Sequence, residues 1–127
     1  MRFEFDSALP IVVVEVELEG AKVTERVRMA LDTGATYTMI PWEVARALGL
    51  NPEVSMKRVD IITASGSERV PLVNLKSLAL FDQKVEDLEV AVHDLPSRSY
   101  VDGLLGLNFL RNFRISMDFG RGVLEIE

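Results

Sequence analysis

The sequence predicts a mostly β protein with one or two short helices. Along most of the 127 residues, apolar and polar side chains alternate with a period of two, which is typical of strands that bury one face. Glycine and other turn-forming residues recur between the alternating segments, as hairpins require. Helical spacing of apolar residues occurs only in two short stretches, one after Pro41 and one after Gly106.

The first predicted hairpin ends at an aspartate. Residues 12–19 alternate, and Gly20 suits a tight turn. The return strand carries apolar residues on one face and arginines on the other: Val27, Met29 and Leu31, against Arg26 and Arg28. The first strand places three glutamates on one face, interpreted as a solvated surface rather than a ligand cluster: Glu15, Glu17 and Glu19. Asp32 is therefore predicted to lie at the end of the second strand of this hairpin.

A short helix is predicted next. Pro41 suits the first helical position, and Gly49 is typical of a residue that ends a helix. Trp42 is expected to pack this helix onto the sheet. Three apolar residues share one predicted face: Val44, Ala47 and Leu48.

Strands return after this helix. Residues 59–73 predict a hairpin whose small-residue tip is Ala64, Ser65, Gly66 and Ser67. Two more strands, residues 73–81 and 85–95, are joined by a polar turn at residues 82–84, and residues 96–103 read as a loop. A short helix is predicted to open near Gly106, with Leu107, Leu110 and Phe113 at helical spacing. The final hairpin turns at residues 120–122.

Composition narrows the possible chemistry. The length predicts one domain over residues 1–127. The chain has no cysteine, which excludes disulfides and a cysteine-based metal site, and its one histidine, His93, cannot by itself build a metal site or a Ser-His-Asp triad. A net charge of −6 without a basic cluster disfavours nucleic acid as a partner. The acidic N-terminus and the lack of a run of about 20 apolar residues predict a cytoplasmic protein without a membrane segment.

One constellation carries the candidate chemistry. Asp32-Thr33-Gly34-Ala35-Thr36 follows a strand and precedes an apolar run, and Leu104-Leu105-Gly106 follows about seventy residues later. The predicted hairpin with its small-residue tip lies between them. A bare Asp-Thr-Gly triplet is weak evidence, whereas the order and spacing of all three parts form a specific pattern.

This pattern resembles the retropepsin-like aspartic proteases, the single-domain relatives of pepsin. Their sequences run from an apolar strand through Asp-Thr/Ser-Gly-Ala/Ser-Thr/Ser to an apolar run, then a flap hairpin, then two apolar residues and a glycine that opens a helix. The correspondence extends from about Pro10 to Phe119. The resemblance implies a closed or partly open β-barrel with a flap, and peptide hydrolysis without a metal or an organic cofactor.

The resemblance also implies roles for individual residues. Asp32 would be catalytic, with Thr33, Gly34, Ala35 and Thr36 supporting the loop around it. The Gly34 amide would donate to the carboxylate, and the Thr33 hydroxyl would bond to the opposite loop. Leu104, Leu105 and Gly106 would support the loop from below. The tip from Ala64 to Ser67 would close over a bound peptide and exclude water.

A single Asp32 predicts a homodimer. Hydrolysis by this route needs one carboxylate to take a proton from water and a second carboxyl group to polarise the carbonyl. Two carboxylates about 4 Å apart repel by roughly 4 kcal/mol at an effective dielectric near 20, so such a pair holds one proton over a wide pH range. Because Asp32 is the only aspartate in such a motif, each of two chains would contribute one.

Two departures from the pepsin pattern affect the expectations. The predicted flap tip has no tyrosine, so its contacts to substrate differ. Ala35 stands where pepsin-type motifs place serine, which removes one hydroxyl donor to the carboxylate. With fewer donors to the ionised form, we expect activity at mildly acidic pH.

Alternative interpretations remain open at this level. Asp32 could form only an Asx turn, or the fold could serve a non-catalytic module for peptide binding or dimerisation. Asp102-Gly103 is followed by leucines rather than a hydroxyl residue, which favours a loop residue over a second catalytic aspartate. His93 beside Asp94 has no nucleophile nearby and is expected to be an exposed residue at a strand end.

Overall fold

The computed structural model describes all 127 residues and is mostly β. Its ten strands are β1 (Arg2–Glu4), β2 (Val13–Glu19), β3 (Thr24–Leu31), β4 (Thr38–Ile40), β5 (Arg58–Thr63), β6 (Gly66–Leu80), β7 (Gln83–Val92), β8 (Gly103–Leu105), β9 (Ile115–Asp118) and β10 (Val123–Ile126). Two short helices, α1 (Trp42–Ala47) and α2 (Leu107–Leu110), and a 3-10 turn (Pro52–Val54) complete the chain. None of its helices has the length and apolar character that crossing a membrane would require.

Six strands form a closed barrel. Their order is β2-β3-β8-β4-β7-β6, and β6 pairs with β2 to close the ring. The pairs β3–β8 and β4–β7 are parallel, and the others are antiparallel. Strand β5 pairs with β6 and extends the sheet beyond the ring as one arm of a hairpin. The predicted fold class, a mostly β barrel with two short helices, is confirmed.

The barrel encloses the hydrophobic core. Alternation places one face of each long strand inside, as β2 shows by burying Val14, Val16 and Leu18 while Glu15 and Glu17 remain exposed. Helix α2 adds the fully buried ring of Phe109. The largest buried side chains are Phe109, Leu18, Met29, Ile40, Leu48, Leu75, Leu78, Leu80, Leu105, Leu124, Ile126 and Val16.

A second, three-stranded sheet joins the two ends of the chain. Its order is β1-β10-β9, and the backbones of Met1 and Ile126 exchange two hydrogen bonds. Leu124 and Ile126 belong to the same core as the barrel, and Phe3 and Phe5 pack against it. The final hairpin is as predicted, with Gly122 at a φ of +66°.

Two predictions about the strands are wrong. Strand β6 is continuous over 15 residues, where two strands were expected. It passes through Pro71, which pairs with the first residue of β5, while Leu72 begins the pairing with β7. Proline is tolerated where the pairing partner changes. The turn after β6 is Phe81-Asp82 rather than residues 82–84, because Leu80 already pairs with Gln83.

The first helix also differs in detail from its prediction. Pro41 is the N-cap rather than the first helical residue, and Ala45 is buried while Ala47 is exposed. Gly49 ends the helix as predicted, with a φ of +79° that L-residues with a side chain rarely adopt. Trp42 packs against the core, and its ring lies 5.2 Å from the Arg46 guanidinium.

Candidate active site

The loop that follows β3 places Asp32 at the edge of the barrel. Parallel pairing of β3 with β8 brings the ends of the two strands together, and the Asp32 N–H donates to the Leu105 carbonyl at 3.0 Å. The chain then turns, with the Ala35 N–H donating to the Asp32 carbonyl at 3.2 Å. The Gly34 N–H donates to Asp32 Oδ1 at 2.8 Å. The half-buried carboxylate is therefore held by the backbone of its own turn.

Gly106 lies directly beneath this loop. A Cβ at this position would lie 2.6 Å from the Tyr37 carbonyl carbon and 2.8 Å from the Ala35 carbonyl oxygen, so only glycine fits. The next residue, Leu107, donates its N–H to the Ala35 carbonyl at 2.8 Å. The start of α2 and the Asp32 loop thus form one hydrogen-bonded unit.

Sequence reasoning missed the polar residues that join these two segments. Asn108 Oδ1 accepts hydrogen bonds from the Thr38 N–H at 2.8 Å and the Thr38 hydroxyl at 2.9 Å. Its Nδ2 donates to the Glu89 carbonyl at 2.6 Å. Thr38 is completely buried, and its hydroxyl also accepts from the Gly106 N–H at 3.1 Å. An asparagine inside the apolar run of residues 104–110 was the available signal.

Two concavities meet at Asp32. We call the first the flap-side cavity; it measures about 370 Å³ and lies between the Asp32 loop and β5. Its lining residues are Asp32, Gly34, Ala35, Thr36, Tyr37, Met39, Asp60, Ile61, Ile62 and Leu104. We call the second the apolar groove; it measures about 610 Å³. Its lining residues are Pro10, Ile11, Val12, Ala30, Leu31, Asp32, Leu95, Ser99, Tyr100, Val101 and Leu104.

The β5–β6 hairpin is the segment that the resemblance predicts to be a flap. Its tip turns at Ala64-Ser65, and Gly66 has a φ of +117° that favours glycine. The Thr63 hydroxyl donates to the Gly66 carbonyl at 2.9 Å and so stabilises the turn. The four predicted tip residues, Ala64 to Ser67, are exposed and do not line the flap-side cavity. Instead, residues 60–62 of the β5 arm line it, which the sequence did not indicate.

The other predicted site residues lie as follows. Thr33 and Thr36 are exposed, Ala35 and Leu104 are half-buried, and Leu105 is fully buried. Asp102 is an exposed loop residue whose N–H donates to the Arg28 carbonyl at 2.9 Å.

His93 is not the exposed residue that the sequence predicted. Its side chain is 24% exposed, and its Nε2 lies 3.7 Å from Glu68 Oε2 on the flap arm of β6. This contact with the β6 arm of the hairpin depends on tertiary packing, which the periodicity of the sequence could not reveal. No group of three or more histidine, aspartate or glutamate side chains is placed to hold a metal ion.

Comparisons with known proteins agree with this geometry. A family model described as aspartyl protease matches residues 14–109. The crystal structure of a retropepsin-like aspartic protease from Rickettsia conorii is similar in fold, with a TM-score of 0.71 and 19% sequence identity. The alignment covers 100% of this chain and 97% of that chain. No curated protein sequence matches the chain.

Proposed function

We propose that this chain, which belongs to the retropepsin-like aspartyl protease family, is an aspartic endopeptidase active as a homodimer. Each subunit would contribute one Asp32. One carboxylate would take a proton from the attacking water while the other carboxyl group polarised the scissile carbonyl. In this proposal the chemistry comes from the two carboxyl groups and one shared proton.

The observation that carries the proposal is the placement of Asp32. Its carboxylate is half-buried where two concavities meet, and a backbone amide fixes one of its oxygens. A carboxylate that only shaped a turn would not need to face a cleft on two sides. The exposed Thr33 hydroxyl is free to bond to the loop of a second subunit, which is the role that the family pattern gives it.

The concavities also support an extended peptide as the substrate. The apolar groove would take an apolar side chain next to the scissile bond, because eight of its eleven lining residues are hydrophobic. The β5–β6 hairpin would lie over the peptide and exclude water from the reacting groups. Two subunits related by a two-fold axis would present the same surfaces on both sides of the bond.

The first prediction concerns Asp32→Asn. This nearly isosteric change removes the acid and base, so we expect kcat/KM to fall at least about a hundredfold. A broad peptide library read by mass spectrometry between about pH 3 and 7 measures cleavage, and pepstatin-type inhibition identifies the mechanism. Asp102→Asn is the matched control, and we expect it to retain activity because Asp102 is an exposed loop residue.

The alternative is a protease-like module that binds peptides without cutting them. Both functions predict a dimer, so sedimentation alone does not separate them. If the pure dimer cuts no peptide in the library, or if Asp32→Asn cuts as well as the parent, the endopeptidase proposal is wrong.

A further inference from the structure

We infer that the flap-side cavity selects a lysine or arginine side chain of the substrate, and that Asp60 recognises its charge. This inference rests on the proposed function. It adds a second requirement on the substrate: besides the apolar side chain that the apolar groove would take, the peptide would carry a basic side chain. Asp60 would then be a residue that determines specificity without taking part in the chemistry.

The cavity has the composition that a long cationic side chain needs. Apolar walls come from the Asp32 loop, from β4 and β8, and from the β5 arm of the hairpin: Ala35, Met39, Leu104, Ile61 and Ile62. Two carboxylates, those of Asp32 and Asp60, are the acidic groups in its lining, which contains no lysine, arginine or histidine. Lysine and arginine lay their aliphatic stems along apolar surface and keep the charged head near polar groups. The cavity matches both parts of such a side chain.

Asp60 is available to bind a cation. Its side chain is 63% exposed, and its one ion pair is with Arg69 Nη1 at 3.7 Å. Arg69 is its cross-strand neighbour in the flap and is itself 69% exposed. Exposed pairs of this kind contribute at most about 1 kcal/mol, so a substrate cation can displace Arg69 at little cost. Asp32, in contrast, shares a proton with its partner in the proposed mechanism and is not free for recognition.

The apolar groove cannot make the same selection. Apart from Asp32, it contains no ionisable side chain other than the phenol of Tyr100. A buried ammonium or guanidinium group there would lose its hydration without gaining a partner. Because the two concavities meet at Asp32 and otherwise share only Leu104, a peptide that fills both would carry an apolar residue and a basic residue close to the scissile bond.

The experiment compares peptides that differ only in charge. A cleaved library peptide with lysine at the position favoured by the enzyme is resynthesised with acetyl-lysine, which keeps the stem and removes the charge. For the parent enzyme we expect kcat/KM to be about fivefold higher with lysine, the upper range for an exposed ion pair. Asp60→Asn should bring the two peptides to near equality, and Arg69→Gln should increase the preference by freeing Asp60.

The matched control is Asp82→Asn, which makes the same charge change at an exposed turn that lines neither concavity. We expect it to keep the fivefold preference. If the parent enzyme cleaves peptides but favours no basic residue, or if Asp60→Asn and Asp82→Asn give the same ratio, the inference is wrong while the proposed function stands. If the parent enzyme cleaves no peptide, the proposed function is wrong, and this inference is wrong with it.

Discussion

The Asp32 carboxylate accepts a hydrogen bond from the backbone of its own turn. The Gly34 amide is one donor, at 2.8 Å from Oδ1. The next residue, Ala35, lines the same cavity and has no hydroxyl to add a second. Hydrogen-bond donors stabilise the ionised form of a carboxyl group, so we expect a donor added beside Asp32 to change the pH dependence of the proposed activity.

Ala35→Ser should therefore shift the acid limb of the pH–rate profile to lower pH. The added hydroxyl would lie next to a half-buried carboxylate and stabilise its ionised form. The profile of kcat/KM is measured for both proteins with the same peptide. Ala47→Ser, at an exposed position on α1, is the control and should leave the profile unchanged. A profile that stays in place in Ala35→Ser would contradict this account of the loop.

The secondary-structure elements that support the Asp32 loop are joined by the side chain of Asn108. This one side chain joins α2, β4 and β7 through three hydrogen bonds. Asn108→Ala would leave the buried Thr38 N–H and the Glu89 carbonyl without their partners. Each such group costs about 1–3 kcal/mol, so we expect the free energy of unfolding to fall by about 2 kcal/mol or more.

Chemical denaturation of both proteins measures this loss. Asn74→Ala removes an exposed asparagine on β6 and should change stability by less than about 0.5 kcal/mol. If Asn108→Ala and Asn74→Ala lower the free energy of unfolding by similar amounts, the hydrogen bonds around Thr38 contribute little to stability.

The hairpins were predictable from sequence, because their signals are local. Alternation along β2 and β3 identified the buried faces, and glycines identified the turns at Gly66 and Gly122. Strands β4 and β8 were not predicted, because three residues are too few to show a period. Strand β1 was missed because its partner β10 lies at the other end of the chain. Long-range pairing leaves no local signal.

In the candidate site, too, the residues with a local sequence signal were predictable and those brought in by tertiary packing were not. The motif identified Asp32, and the glycine of the distant apolar segment identified Gly106. The sequence predicted a strand before the hairpin tip, but it could not show that Asp60 and Ile62 on this arm line the cavity at Asp32. The asparagine in the apolar run was visible, but the partners of Asn108 were not predictable because they come from β4 and β7, which only tertiary packing brings to it.

At the scale of the whole molecule, the barrel closes between β2 and β6. The seam is short, running from Glu17 opposite Ala79 to Glu19 opposite Ser77. The buried Ser77 hydroxyl donates to Glu19 Oε1 at 2.7 Å. The amines of Lys76 and Lys84 lie 3.5 and 3.8 Å from the Glu19 carboxylate oxygens. Of the three glutamates on β2, Glu19 is therefore part of a polar cluster, and only the other two form a solvated face.

This cluster should make the stability of the barrel depend on pH. The Ser77 hydrogen bond is the largest cause that lowers the pKa of Glu19; desolvation opposes it, and the hydrogen bond from Lys76 and the charges of Lys76 and Lys84 lower the pKa further. A carboxyl group whose pKa is lower in the folded state stabilises the fold fully above its unfolded pKa. That contribution is lost as the pH falls through the folded value. Acid should therefore weaken the seam below about pH 4, the ordinary range of glutamate.

Glu19→Gln tests this at constant protein concentration, since a dimer would otherwise shift Tm by mass action. The variant cannot ionise at this position, so its Tm should be lower than that of the parent near neutral pH, and the difference should shrink as the pH falls below about 4. Glu17→Gln is the matched control, because Glu17 is exposed on the same strand and in no ion pair. Its Tm should follow the parent's pH dependence. If the Tm values of both variants change with pH in the same way as that of the parent, the charge of Glu19 does not control closure of the barrel.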